Sequence, residues 1–227
     1  MNTRTRTIPI PLAMLIATAG AVTALLLFGG QQAGAHDHSS HATPKAISSS
    51  ELALRQEMRR LWEDHVTWTR LAIISLTTDA PDTQATVGRL LRNQTDLGNA
   101  IKPFYGAAAG KQLTTLLREH ILIAADVIAA ARKGDQTALQ SEQARWNDNA
   151  DRIAAFLSSA NPKNWKPAAT KSMMRAHLGL TTAEVVARLK RNWAADVRAY
   201  DRVHRQILHM ADMLSDGLVA QFPARFA

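Results

Sequence analysis

The chain has 227 residues, no cysteine, and a formal net charge of +8 from 27 basic and 19 acidic side chains. With 46% hydrophobic and 20% charged residues it is long and apolar enough to bury a core, which excludes a disordered chain. Absent cysteine excludes disulfides, thiolate zinc sites, iron–sulfur clusters and cysteine nucleophiles. Only 11 glycines and 8 prolines argue against an all-β fold, which needs many turns.

Residues 1–35 read differently from the rest. Arg4 and Arg6 precede an apolar run from Leu12 to Phe28, Gly29-Gly30 break it, and Ala33-Gly34-Ala35 places small residues where a signal peptidase cuts. This is the layout of a secretory signal peptide cleaved after Ala35; the alternative is an uncleaved membrane anchor. Either way the arginines keep the N-terminus inside and send the remainder outward, so the chain is expected to be exported, periplasmic or extracellular. The basic excess is spread along the helices with no aromatic-interleaved stripe, which excludes a nucleic-acid interface and fits weak attraction to an anionic envelope surface.

Residues 36–48 form a His-rich leader, expected to be flexible. Cleavage after Ala35 would leave His36-Asp37-His38 at the front. A histidine third from a free α-amine completes a square-planar four-nitrogen set that suits Cu(II) or Ni(II), with His36 and His41 as further imidazoles.

Residues 49–227 are expected to form an all-α domain, a bundle of four long helices with two short additional helical segments. Ser48 and Glu51 resemble a capping box, followed by Leu54, Met58, Leu61, His65, Trp68 and Ala72 on one face. A break over Thr77–Asp82 leads to a short helix carrying Val87, Leu90 and Leu91, and a short segment runs from Asp96 to Phe104. After Gly106–Gly110 a long helix places Leu113, Leu117, His120, Ala124 and Val127 on one face and stops at Lys133-Gly134. The next aligns Leu139, Trp146, Ile153 and Leu157 and ends before Asn161-Pro162. A short piece between Trp165 and Gly179 carries Met173, Met174 and His177. Thr181 and Glu184, as a second capping box, would open the longest helix, with Val186, Leu189, Trp193, Val197, Tyr200, His204, Ile207 and Leu214 inward. The core would hold Trp62, Trp68, Trp146 and Trp193. No repeat of 20–50 residues emerges; the echo of Glu63-Asp64-His65-Val66 in Arg118-Glu119-His120-Ile121 reads as a shared helical pattern.

Polar residues interrupt these apolar faces. His65, His120, Asp196 and His204 form a candidate internal metal site if their faces meet, since helical bundles hold metals with inward histidines and carboxylates. Trp62, Trp68, Asn149, Asp151, Tyr200 and Asp201 are read as a structural polar core around it. The alternative is a buried hydrogen-bond network in which each imidazole has one donor and one acceptor partner. Met173-Met174 and His209-Met210 with Met213 supply thioethers suited to Cu(I), but read as core filler. No phosphate loop, nucleophile elbow or His-Glu-x-x-His motif is present, so no catalytic residue is assigned.

Leu61-Trp62-Glu63-Asp64-His65-Val66 with Trp68-Thr69-Arg70, Arg89-Leu90-Leu91-Arg92-Asn93, Pro103-Phe104-Tyr105-Gly106 and Asn149-Ala150-Asp151 with Phe156-Leu157 carry a resemblance. It continues through His177-Leu178, Leu180-Thr181, Tyr200-Asp201, Met210-Ala211-Asp212 and Gln221-Phe222-Pro223. The body resembles an uncharacterised bacterial family of small helical-bundle proteins whose members carry labels such as acetylglutamate kinase or glycosyltransferase. The resemblance implies the helical fold. Those two activities need α/β folds with phosphate loops or a Rossmann-like domain, and these residues support neither. The expectation is an exported, non-enzymatic protein binding a transition metal or small ligand; the alternative is a structural or interaction protein of the envelope without a cofactor.

Overall fold

The computed structural model describes Ala46–Ala227; residues 1–45, with the signal, most of the leader and His36, His38 and His41, lie outside the described residues. The body from Ile47 onward is one compact unit and is all-α, as expected. Its helices are α1 (Ser49–Thr78), α2 (Thr83–Lys133), α3 (Gln136–Ala160), α4 (Pro167–Leu189) and α5 (Trp193–Gln221), followed by a 3-10 turn at Pro223–Arg225. No described helix is long and apolar enough to cross a membrane.

Local chemistry sets most of the helix ends. Ser48 caps α1 by accepting from the Glu51 N–H at 3.2 Å, and Asp79 closes it in the left-handed region at φ 57°. Asp135 caps α3 by accepting from the Ala138 N–H at 3.0 Å. Pro167 occupies the first turn of α4, where its missing N–H costs nothing.

Helix α2 is two limbs rather than one rod. Gly106 has φ 83° and ψ 170°, outside helical geometry and open only to glycine. The limbs fold back so closely that a Cβ on Gly98 would stand 2.6 Å from the Gly110 carbonyl oxygen. The Arg118 guanidinium donates across the same seam to the Leu91 carbonyl at 3.1 Å. The limb before Gly106 corrects one expectation: Val87–Leu91 and Asp96–Phe104 are one continuous helix. The Asn93-Gln94 pair between them, which looks like a polar break, is fully buried and bonds to α1.

The C-terminal half corrects another. Thr181 and Glu184 do not open a helix; they lie inside α4, where the Thr181 hydroxyl donates to the His177 carbonyl at 2.9 Å. The break falls at Lys190–Asn192, where Arg191 turns to φ 56° and Asn192 caps α5 by accepting from the Ala195 N–H at 3.1 Å. That turn rotates the start of α5 outward. Trp193 and Val197, expected in the core, are 54% and 55% exposed. Trp165, from the loop before α4, is buried instead, its ring against Gly217.

The helices close a ring: α1 packs on α2 and α5, α3 on α2 and α4, and α4 on α5. The ring consists of three helical hairpins in chain order. The first is α1 with the first limb of α2, the second is the second limb of α2 with α3, and the third is α4 with α5. Their inner faces share one apolar core.

Candidate functional site

At the centre of the ring stand three histidines, one from the first helix of each hairpin: His65, His120 and His177. All are buried. The ring centroids of His65 and His177 lie 6.1 Å apart, and those of His120 and His177 lie 6.3 Å apart. His65 packs edge-on to Trp62 at 5.4 Å, and His120 against Trp146 at 5.3 Å.

Each imidazole is held at Nδ1 by a side-chain amide from the second helix of its own hairpin, 29 residues further on. His120 Nδ1 lies 2.8 Å from Asn149 Oδ1, His177 Nδ1 lies 3.1 Å from Gln206 Oε1, and His65 Nδ1 lies 3.3 Å from Gln94 Nε2. In each hairpin a side-chain amide also bonds the carbonyl four residues before the histidine. Asn149 Nδ2 donates to Leu116 O at 3.1 Å, Gln206 Nε2 to Met173 O at 3.4 Å, and Asn93 Nδ2 to Leu61 O at 2.9 Å. With their NH₂ groups so engaged, Asn149 and Gln206 turn oxygen towards the ring. His120 and His177 therefore carry their proton on Nδ1 and leave the Nε2 lone pair free. In the first hairpin Asn93 makes the carbonyl bond and Gln94 reaches the ring, leaving Gln94 Oε1 a buried acceptor without a partner among the described residues.

The three rings line one chamber. Trp62, Leu117 and Met174 line it from positions three residues before each histidine, and Leu97, Ile153 and Met210 from the second helices. The chamber holds a void of about 40 Å³, more than a single water needs. No carboxylate, lysine or arginine lines it. Burial without a counter-charge pushes the histidines far down. His65 falls to about 3, with the neighbouring His177 and His120 adding to the effect. His120 falls to about 3, reinforced by His177, and His177 falls to about 4. All three are neutral across the physiological range.

The sequence-based set of His65, His120, Asp196 and His204 is divided. His65 and His120 meet, joined by His177 rather than by the other two. Asp196 is buried in an ionic cluster with Arg70, Arg188 and Glu184 that ties α1, α4 and α5. The Arg70 guanidinium donates to both Asp196 oxygens and, at 2.8 Å, to Glu184; Arg188 donates to Asp196 at 3.0 Å. Burial pushes both carboxyls up: Glu184 stays raised, whereas the bonds from Arg70 and Arg188 hold Asp196 below its ordinary range. His204 Nε2 lies 2.7 Å from Glu63 at the half-exposed rim. Both are drawn to charged partners on α1 away from the chamber, Asp196 to Arg70 and His204 to Glu63.

The structural set is divided as well. Trp62 lines the chamber, and Asn149 holds His120 from behind it. Trp68 is half-buried under the Arg89 guanidinium, and Tyr200 is half-buried under Arg70, at 5.0 and 5.3 Å. Asp201 is exposed, and Asp151 pairs near the surface with Arg175 at 2.7 Å and Lys171 at 3.1 Å, so neither carboxylate is core. Both lie on the outer side of their helices, and a buried carboxylate would need a cation that the core does not supply. Among the described residues no group of three or more His, Asp or Glu side chains stands close enough to hold a metal ion as it is.

His177, Gln94 and Gln206 are the residues that sequence reasoning missed. The signal was present as a repeated pattern, two apolar residues followed at the fifth position by histidine: Leu61-Trp62 before His65, Leu116-Leu117 before His120, Met173-Met174 before His177. Compared with protein-family models, curated proteins and solved structures, the chain finds no match in any of the three.

Proposed function

We propose that this chain is an exported ligand-binding protein whose site is the histidine-lined chamber. The observation that carries the reading is the threefold recurrence of the histidine–amide pair at one spacing, converging on a shared apolar void. A single buried histidine needs only a partner. Three neutral imidazoles, each oriented through Nδ1 and gathered around a space without charges, suit a small ligand that takes hydrogen bonds or coordination from nitrogen. The imidazoles are held neutral and no carboxylate, lysine or arginine lines the chamber to pair with them, so the reading is binding rather than catalysis. His36, His38 and His41 add a separate capture site for Cu(II) or Ni(II), dependent on a free amine after Ala35. A weak attraction of the basic surface to an anionic envelope would keep the protein near its compartment boundary.

A second reading, a cofactor-free structural or interaction protein of the envelope, draws on Trp193 and Val197. They stand one helical turn apart and more than half exposed. On that reading the buried polar pairs only fix helix register.

Metal and small-molecule analysis of mature protein purified from its native compartment separates the two. The first predicts a bound species that survives replacement of His36, His38 and His41. Protein carrying nothing, with or without the leader histidines, favours the second. N-terminal sequencing tests export: a chain beginning at His36 agrees, and an intact Met1 removes the amine-dependent site.

A further inference from the structure

The lining of the chamber is ordered along the helices. On α1, on the second limb of α2 and on α4 its residues precede the histidine, and none follows it: Met58 and Trp62 before His65, Leu113 and Leu117 before His120, Met174 before His177. On the partner helices every lining residue comes after the amide that holds the ring. The three imidazoles therefore form a floor at one end, and the walls above it are leucine, isoleucine, methionine and aromatic side chains. Of the polar groups on those walls, the Tyr105 hydroxyl donates to Gln221 Oε1 and Trp165 Nε1 lies against Gly217. The Trp62 N–H, one turn above His65, is buried without a partner among the described residues.

The floor offers both kinds of hydrogen-bonding group. Asn149 and Gln206 hold the Nδ1–H of His120 and His177, so each of these rings keeps Nε2 as an acceptor. Gln94 Nε2 donates to Nδ1 of His65, so that ring carries its proton on Nε2 and is a donor. We propose that the chamber takes a short-chain alcohol of about three or four carbons, its hydroxyl on the histidine floor and its chain between the apolar walls. The inference rests on the reading of the chamber as a ligand site and names its occupant. A hydroxyl gives its hydrogen to one lone pair and accepts from an N–H, so it meets both sides of the floor. An ether or ketone of the same size only accepts, and leaves the His120 and His177 lone pairs unmet. A carboxylate or ammonium head would lose its hydration and meet no counter-charge. Size sets the chain. The void of about 40 Å³ has room for roughly three or four water-sized groups at about 10–15 Å³ each. Met58, Met174 and Met210 in the walls can shift to admit a little more.

The test titrates the full-length chain at pH 7 with the primary alcohols from methanol to 1-hexanol, read by ring nitrogen NMR of the histidines and methyl NMR of the methionines. Binding should be saturable and tightest at 1-propanol or 1-butanol, with a Kd in roughly the millimolar range that so few atoms allow. The Nε2 signals of His120 and His177 should shift, and His204 and His209 should not. Methyl propyl ether, matched in size to 1-butanol, should bind at least about 10-fold more weakly, because it leaves buried acceptors unpaired. Propionate and propylammonium should leave the signals unmoved. Leu117→Trp, which fills the chamber, should abolish binding, with far-UV circular dichroism checking that the helices persist. The ligand comparisons use the unmutated chain and decide the matter even where that variant fails to fold. Shifts that never saturate, ether binding as tight as 1-butanol, or equal binding of the charged molecules overturns the proposal. Xenon, read by shifts of the Met174 and Met210 methyls, separates the underlying reading: if xenon enters and no alcohol binds, the chamber is a ligand site and the alcohol assignment is wrong. If neither enters, both are wrong.

Discussion

Each of the three histidines is neutral because its residue-scale surroundings leave no other choice. Buried, facing two like groups and no carboxylate, an imidazolium there would lack any compensating charge. The amide partner then matters more than its single bond implies. Asn149→Leu leaves the His120 Nδ1–H and the Leu116 carbonyl with one partner fewer, and should cost about 2–4 kcal/mol in urea unfolding. Gln206→Leu should cost less, because Gln206 is only half-buried and water can replace it. Much of this scale was legible in advance. His65 and His120 stand out on apolar stripes, and a network in which imidazoles are satisfied by neighbours was one of the two readings open. His177 did not stand out, since flanking prolines and methionines disguised its helix as a short connecting piece. The amides were hidden for a different reason. Asn93-Gln94 and Gln206 resemble ordinary surface or break residues until the opposing helix supplies their carbonyl and ring partners.

Among the elements, the fold depends on two turns that sequence periodicity handled unequally. Gly106 was visible as an interruption, and its backbone geometry explains why: φ 83° with ψ 170° excludes a side chain. Gly106→Ala should destabilise the protein by about 1–3 kcal/mol, read as a lowered urea midpoint at unchanged slope. Gly98→Ala acts at the same hairpin by another route. Its Cβ would meet the Gly110 backbone and force the limbs apart, so near-ultraviolet circular dichroism should change even where helicity persists. The turn at Arg191 was not visible, because an apolar period runs through Lys190-Arg191-Asn192 and only the left-handed arginine and the asparagine cap reveal the break. Missing it moved Trp193 and Val197 into the imagined core. It also placed Asp196 beside the histidines instead of beside Arg70. That buried cluster is balanced, two guanidinium groups against two carboxylates, so removing one member leaves a charge exposed to the interior. Arg70→Met should cost about 3–5 kcal/mol, whereas exchanging the exposed Asp201 for Asn should change stability little, both measured by urea unfolding.

For the whole molecule, three hairpins repeat one device and share one centre. The repeat length, set by histidines at 65, 120 and 177, exceeds the 20–50-residue window in which repeats were sought. What recurs is a handful of residues rather than a continuous match, and the echo between the first two hairpins was accordingly set aside. Global stability should follow the centre. The folded histidines lie at about 3 to 4 against an ordinary 6.5, so the unfolded chain binds the extra protons. This contribution to stability is complete above pH 6.5 and is lost as pH falls towards 4, by up to about 1.4 kcal/mol per unit for each histidine. Asp196, held low, adds to that loss, and Glu184, held high, opposes it. Urea midpoints between pH 7.5 and 4.5 should therefore fall steeply, and a helical His120→Gln variant should fall less steeply.

Ring nitrogen NMR of the histidines, recorded between pH 7.5 and 4.5, tests the shared centre most directly. At pH 7, His120 and His177 should show a protonated Nδ1 and an unprotonated Nε2. His65, His120 and His177 should stay neutral as the pH falls to 5. Protonation of any of the three near pH 6.5, or a proton on Nε2 of His120 or His177 at pH 7, would contradict the account.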